Sequence, residues 1–328
     1  MSSFWAGRHV VVTGAGGFIG SHLVERLTVE GAEVTAFVRY NSLNRSGFLE
    51  PTAGQFQVRS GDIADLETVR GVVKGADTVF HLAALVGIPY SYVHPTEVVE
   101  ANTNGTLNVL IAAREAGVRR VVVTSTSEVY GTALFRPMTE NHPRQPQSPY
   151  AASKVAADAL ALSFHHSFGL GVSIVRPFNT YGPRQSDRAI IPTIAAQALS
   201  GVAEIVLGNL SPRRDLTFVT DTVEGFVAIG ESDRTIGLEI NLGSGRSISI
   251  GELARRIVHV VGRDVPIRQD DQRVRPESSE VQDLVADATR ALELVGWKPG
   301  VSLDEGLGRV VDWIAANSTF YDPSTYRI

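Results

Sequence analysis

Apolar positions along the chain fall into two alternating patterns. Short runs rich in apolar and β-branched residues occur at 8–12 (RHVVV), 33–38 (EVTAFV), 78–82 (TVFHL), 121–124 and 172–175, which is the texture of buried strands, and 55–59 (QFQVR) reads as a further strand. Between them lie longer stretches with helical periodicity at 18–27, 66–74, 98–116 and 149–168. Strands alternating with helices of this length predict βαβ units and an α/β fold, a doubly wound parallel sheet.

Beyond Arg176-Pro177 the texture changes to shorter elements separated by polar loops, GPRQSD, NLSPRRD and RQDDQRVRPESSE. The pattern predicts a dinucleotide-binding domain over residues 1–178, rejoined by a helix at 218–231 and a strand at 238–242 within a returning segment 216–245. A smaller C-terminal α/β substrate domain would take 179–215 and 246–328. The last helix, 303–316, is amphipathic with Trp313 on its apolar face, and no internal repeat or heptad is present.

Composition narrows the classes. With 328 residues, 43% hydrophobic and 20% charged, the chain reads as one large globular domain or two small ones. It has no cysteine, which excludes disulfide scaffolds, iron–sulfur clusters, Cys-ligated zinc and thiol nucleophiles, and no metal site is expected. The net charge of -5, with a pair such as Arg213-Arg214 too short to count as a basic stripe, argues against nucleic acid as a partner. No run of eighteen apolar residues and no charged leader is visible, so a cytoplasmic protein without a membrane partner is expected. Lysine occurs only at Lys74, Lys154 and Lys298, which makes any lysine in a mechanistic position conspicuous.

Three motifs carry chemistry. Gly14, Gly17 and Gly20 are spaced GxxGxxG between the first strand and the first helix, where glycines let the backbone approach a pyrophosphate at a helix N-terminus; the plain alternative is a tight turn. Tyr150 and Lys154 stand four apart at the start of a helix, on one face, so the ammonium favours the phenolate; the plain alternative is a surface pair. Thr124 to Gly131 (TSTSEVYG) crowds hydroxyls and a carboxylate at the carboxyl edge of a strand, where parallel sheets bind ligands, or else forms a polar cap. His165-His166 reads as a polar helix face, and His81 as a packed strand histidine near the expected cofactor pocket.

Together with RPFNTYGPRQ (176–185), RRDLTFVTD (213–221), INLGSG (240–245) and LVGWKP (294–299), these motifs resemble the extended short-chain dehydrogenase/reductase family across the whole chain. The similarity is to its NAD-dependent nucleotide-sugar epimerases and dehydratases, in particular nonulosonate-pathway 4,6-dehydratases and UDP-glucuronate 4-epimerases of antibiotic pathways. The resemblance implies a Rossmann fold, usually a homodimer, with a UDP-sugar as substrate. It places Gly14, Gly17, Phe18, Ile19 and Gly20 on the cofactor pyrophosphate, Asp62 and Ile63 at the adenine, and Leu82, Ala83, Ala84 and Pro177 along the cofactor. Tyr150 becomes the base at the sugar O4, Lys154 the partner of the nicotinamide ribose and the phenolate, and Thr126 a hydrogen bond to O4. Asn179, Arg184, Arg188, Arg214 and Arg275 would hold the sugar diphosphate, with Ser127 and Glu128 beside the sugar. Arg39 stands where NAD-binding relatives often carry an acid, so NAD is favoured and NADP stays open.

The shared first step is oxidation at C4, and residues 126–128 select the fate of the resulting 4-keto sugar. The best-known 4,6-dehydratases place an Asp-Glu pair after the Thr, whereas Ser127-Glu128 stands here, and serine is a feeble acid. The UDP-glucuronate decarboxylases also show Thr-Ser-Glu. A 4-epimerase needs no further acid, and Thr126 and Ser127 could orient a C5 carboxylate. The expected activity is therefore UDP-glucuronate 4-epimerase, ahead of 4,6-dehydratase on UDP-GlcNAc or UDP-glucose and then of decarboxylase. A catalytically silent NAD(P)-binding sensor is the non-enzymatic alternative, which an intact Tyr150, Lys154 and Thr126 argue against.

Overall fold

The computed structural model describes residues 3–43, 45–52, 54–270 and 279–321. From the N-terminus the elements are β1 (His9–Thr13), α1 (Phe18–Val29), β2 (Glu33–Arg39), β3 (Gln57–Gly61), α2 (Leu66–Val73), β4 (Thr78–His81), α3 (Ile88–Val93), α4 (Pro95–Val99), α5 (Gly105–Glu115) and β5 (Arg120–Thr124). There follow α6 (Pro149–Phe168), β6 (Val172–Pro177), β7 (Asn179–Tyr181), α7 (Ile190–Leu199), β8 (Ile205–Leu207), β9 (Arg213–Phe218) and α8 (Val219–Glu231). The chain closes with β10 (Glu239–Leu242), β11 (Ser247–Ser249), α9 (Ile250–Val261), β12 (Ile267–Gln269), α10 (Thr289–Val295) and α11 (Leu303–Ala316).

Seven parallel strands form the main sheet in the order β10-β6-β5-β4-β1-β2-β3. The valines of β1 and β5 are inaccessible because helices cover both faces, which is why those strands read as continuous apolar runs. The strand order reverses between β1 and β4, and the crevice at that switch point is where sheets of this topology bind ligands. Segment 239–242 adds the outermost strand beside β6, pairing Ile240 with Val175. Strands β11, β9 and β7 form a second sheet, and β12 pairs with β8. Apolar side chains of α7, α9 and α11, among them Ile194, Ile257 and Leu307, belong to the same core as Val10 and Leu23, so the smaller lobe is packed onto the larger.

The helix expected over 98–116 is interrupted. It starts at Pro95, widens into a π turn at Glu100–Asn104 and resumes as α5. The wide turn faces Asn102 inward, where its Oδ1 accepts from the Leu85 N–H (2.8 Å) and its Nδ2 donates to the Leu85 carbonyl (3.0 Å) and Ser153 Oγ (3.0 Å). One inserted side chain thus ties the loop leaving β4 to the second turn of α6. Apolar periodicity carries no trace of such an insertion. The third strand runs 57–61, two residues later than the expected 55–59.

Candidate active site

The turn after β1 is closed by contacts only glycine permits. Gly14 has φ +67°, and a Cβ there would lie 2.7 Å from the Ala83 nitrogen; at Gly20 it would lie 2.2 Å from the Gly14 carbonyl oxygen. The turn therefore presses against the chain leaving β4. Thr13 Oγ1 completes that junction by accepting from the Leu82 and Ala83 N–H groups, both at 3.1 Å. Gly17 caps α1 without a side-chain hydrogen bond, and the first turn holds no acidic residue, so the helix presents its N–H groups and positive dipole end to an anion. This cradle, which a Cβ would fill, suits the pyrophosphate of a dinucleotide.

His81, at the end of β4, is fully buried. Thr13 Oγ1 donates to its Nδ1 (2.8 Å), and its Nε2 donates to Thr106 Oγ1 (3.0 Å), whose own proton goes to the Asn102 carbonyl (2.6 Å). Burial, with Lys154 nearby, pushes its pKa down to about 3, so it is neutral and structural.

Helix α6 begins where the sequence says it should: Ser148 Oγ accepts from the Ala151 N–H (3.1 Å), Pro149 occupies the first turn, and Gly169 ends the helix in the left-handed region. Its first two turns carry Tyr150 and Lys154, both buried. The Tyr150 phenol is hydrogen-bonded to the Thr126 hydroxyl; burial raises its pKa, the bond to Thr126 lowers it, and the charges of Glu128 and Asp158 raise it further. Burial lowers the pKa of Lys154, and the charge of Asp158 opposes that shift. Thr126 caps the short 3-10 turn Ser127–Tyr130 by accepting from the Glu128 N–H (3.2 Å), which fixes the hydroxyl beside Tyr150.

A cavity of about 540 Å³ opens at the carboxyl edge of the main sheet, between it and the smaller lobe. Of the residues singled out from sequence, Phe18, Glu128, Asn179, Arg188 and Arg214 line it. Asn179 lines this space, and its buried Nδ2 has no hydrogen-bond partner among the described residues. Arg214 gives one nitrogen to Glu280 (2.9 Å) and another to the Val281 carbonyl (2.7 Å), so its charge is held at the wall by an acid. Ser127, like Thr126, Tyr150 and Lys154, does not line this cavity, and Ser127, Tyr150 and Lys154 are buried.

Other expected residues sit elsewhere. Arg184, with φ +70°, turns its guanidinium to Glu25 (2.8 Å) and Ser21 (3.2 Å) on α1 rather than into the cavity. Arg275 lies outside the described residues. Leu82, Ala83 and Ala84 come after β4 at the switch point, beside the glycine turn, Ile19 continues α1 from it, and Pro177 ends β6 opposite Leu242. Ile63 packs against the bare Cα of Gly105, and Asp62 turns its Oδ1 back to the Ala64 N–H. Sequence reasoning missed the walls given by Val86–Pro89, Thr193, Asn209 and Glu280, which fall in irregular segments or on a helix face with no motif.

The match with known proteins agrees with this architecture. The family description "GDP-mannose 4,6 dehydratase" matches residues 11–310. The chain is 33% identical to dTDP-glucose 4,6-dehydratase of Streptomyces griseus, covering 96% of each chain, and 34% identical to UDP-glucose 4-epimerase of Mycolicibacterium smegmatis, covering 94% of this chain and 99% of that one. Among solved structures, the dTDP-glucose 4,6-dehydratase DesIV of Streptomyces venezuelae, determined with NAD bound, superposes with a TM-score of 0.88 at 30% identity over 96% of this chain and 99% of that one. The chain belongs to the extended short-chain dehydrogenase/reductase family and is an enzyme of its nucleotide-sugar epimerase, dehydratase and decarboxylase branch.

Proposed function

We propose that this enzyme uses NAD to convert a UDP-linked hexose with a free 6-hydroxyl, UDP-GlcNAc or UDP-glucose, into its 4-keto-6-deoxy sugar with loss of water. When bound, NAD accepts a hydride from the sugar and returns it within the same turnover. Arg39 lies 3.8 Å from Asp62 and 3.9 Å from Glu97, so its charge is already shared by two carboxylates, a setting that suits ribose hydroxyls better than a 2′-phosphate.

Tyr150 takes the O4 proton as C4 is oxidised, and Lys154 supplies the positive charge that a phenolate in this buried position requires. The ketone at C4 then acidifies the C5 proton. Glu128 removes that proton, and the carboxylic acid so formed gives it to the departing O6, so that water leaves and a C5–C6 double bond forms. Hydride returning to C6 and a proton to C5 complete a redox-neutral cycle.

The observation that carries this reading is the position of Glu128. Glu128 lines the cavity and its charge raises the Tyr150 pKa, which supports an acid–base residue beside the group that acts at O4. Ser127, whose weak acidity makes a dehydratase less expected from sequence, lies behind the wall. UDP-glucuronate 4-epimerase, the first expectation from sequence, is the second reading: the Tyr150–Thr126 pair alone suffices for it, and an epimerase is among the relatives. The two readings differ in whether the Glu128 carboxylate takes part in the chemistry at C5.

A proton NMR time course with UDP-GlcNAc, UDP-glucose and UDP-glucuronate in separate tubes tests the proposal. A 4-keto-6-deoxy product from either hexose is the expected result. UDP-galacturonate from the uronate, with both hexoses inert, would establish the epimerase instead, and a UDP-pentose would establish the decarboxylase.

A further inference from the structure

Behind the catalytic pair lies a row of buried charges. Asp158 comes one turn after Lys154 on α6 and is fully buried. Its Oδ2 accepts from Arg176 Nη2 (2.7 Å) and from Ser125 Oγ (2.7 Å), while Oδ1, equally buried, has no partner among the described residues. Arg176 reaches in from β6 with no exposed surface, giving Nη1 to the Tyr130 hydroxyl (2.7 Å) and to Glu239 (3.3 Å). Glu239 is met in turn by Arg144 nearer the surface. From outside to inside, Arg144, Glu239, Arg176, Asp158 and Lys154 alternate in sign.

A buried ion pair of this kind adds little to stability compared with apolar packing of the same volume, so its presence calls for a reason other than stability. We propose that Asp158 is a positioning residue for the catalytic pair: oriented by Arg176 and Ser125, it is the counter-charge, one helical turn away, that keeps the Lys154 ammonium protonated where the chain has buried it. The geometry restricts the alternatives. Lys154 faces His81 from β4, which is neutral, and Tyr150 and Asp158 from its own helix. Asp158 faces Arg176, Ser125 and Lys154, and Arg176 is already engaged by Tyr130 and Glu239. Asp158, one helical turn from Lys154 on α6, is the carboxylate whose charge reaches both Lys154 and Tyr150. Ser125 joins the device to the active site, because it bonds Asp158 and immediately precedes Thr126.

This inference rests on the reading of Tyr150 and Lys154 as the catalytic pair, and its test is independent of the sugar. With three lysines in the chain, protein labelled with carbon-13 at lysine Cε gives three resonances, and Lys154→Met identifies the one that matters. In the wild type, Lys154 should be protonated at neutral pH despite its burial; a neutral amine there would overturn the proposal, since a buried lysine without an effective counter-charge loses its proton in that range. In Asp158→Asn the Lys154 titration should move to lower pH by at least about one unit, and in Asp158→Glu by much less. An unmoved titration in the folded Asn variant would equally overturn it. With an active substrate in hand, both limbs of the kcat profile should move to lower pH in Asp158→Asn while KM for the UDP-sugar stays within about twofold, whereas a purely structural role would lower kcat at every pH alike.

Discussion

Replacing Glu128 by glutamine separates the two halves of the proposed cycle. The amide keeps the size of the side chain on the cavity wall but neither removes the C5 proton nor delivers one to O6. A positioned acid or base contributes about 10²–10⁴ in rate, roughly 3–5 kcal/mol, and here one carboxylate serves in both capacities, so dehydration should fall by at least about 10². Oxidation at C4 should respond in the other direction. The negative charge of Glu128 raises the Tyr150 pKa, so removing it lowers that pKa and carries the acid limb of hydride transfer to lower pH.

Glu128→Gln should therefore reduce NAD at neutral pH at least as well as the wild type and then stall. Rapid mixing with UDP-GlcNAc would read this as reduced nicotinamide absorbance that builds up and persists, and deuterium wash-in at C5 from heavy water would disappear. Dehydration within about threefold of the wild type would refute the role given to Glu128. Full turnover to a 4-epimer by the same variant would instead identify a cycle that has no use for a carboxylate at that position.

The geometry sets three further outcomes. Gly20→Ala puts a Cβ 2.2 Å from the Gly14 carbonyl, and the displaced turn should cost about 1–3 kcal/mol of stability and weaken NAD binding at least about tenfold by calorimetry; unchanged affinity would count against the cradle. Tyr150→Phe should abolish turnover and leave NAD affinity within about twofold, and equal inertness of both forms on every nucleotide sugar would favour the sensor alternative. His81 has its folded-state pKa pushed down from 6.5 to about 3, so the unfolded chain binds the extra proton. Its contribution to stability is complete above about pH 6.5 and is lost as pH falls toward 3, amounting to about 2 kcal/mol between pH 7 and 5. Urea midpoints at those two pH values should differ less in His81→Gln than in the wild type.

The parts of the site that sequence makes legible are those whose chemistry is local. Gly14, Gly17 and Gly20 lie within one turn, Tyr150 and Lys154 within one helical turn, and Thr126 to Glu128 in consecutive positions, so chain spacing already fixes their mutual geometry. Arg184 shows the limit of that logic: a guanidinium next to the right motif goes to whichever carboxylate is nearer in space, and Glu25 on α1, 159 positions away, takes it. Ser127 shows the same limit at a single residue. Its neighbour Glu128 reaches the cavity while the serine turns inward, because a tight 3-10 turn capped by Thr126 sends successive side chains in different directions. Taken as a pair, residues 127 and 128 weaken the case for a dehydratase; taken as one side chain in the cavity and one behind it, they restore that reaction. The buried row that ends at Lys154 is invisible in the sequence for a related reason, since Asp158 reads as an ordinary helix acid until β6, eighteen residues on, lays Arg176 against it. What distinguishes an acid that serves the catalytic lysine from one that faces water is the strand it meets, and that is a property of the sheet order, which no local pattern encodes.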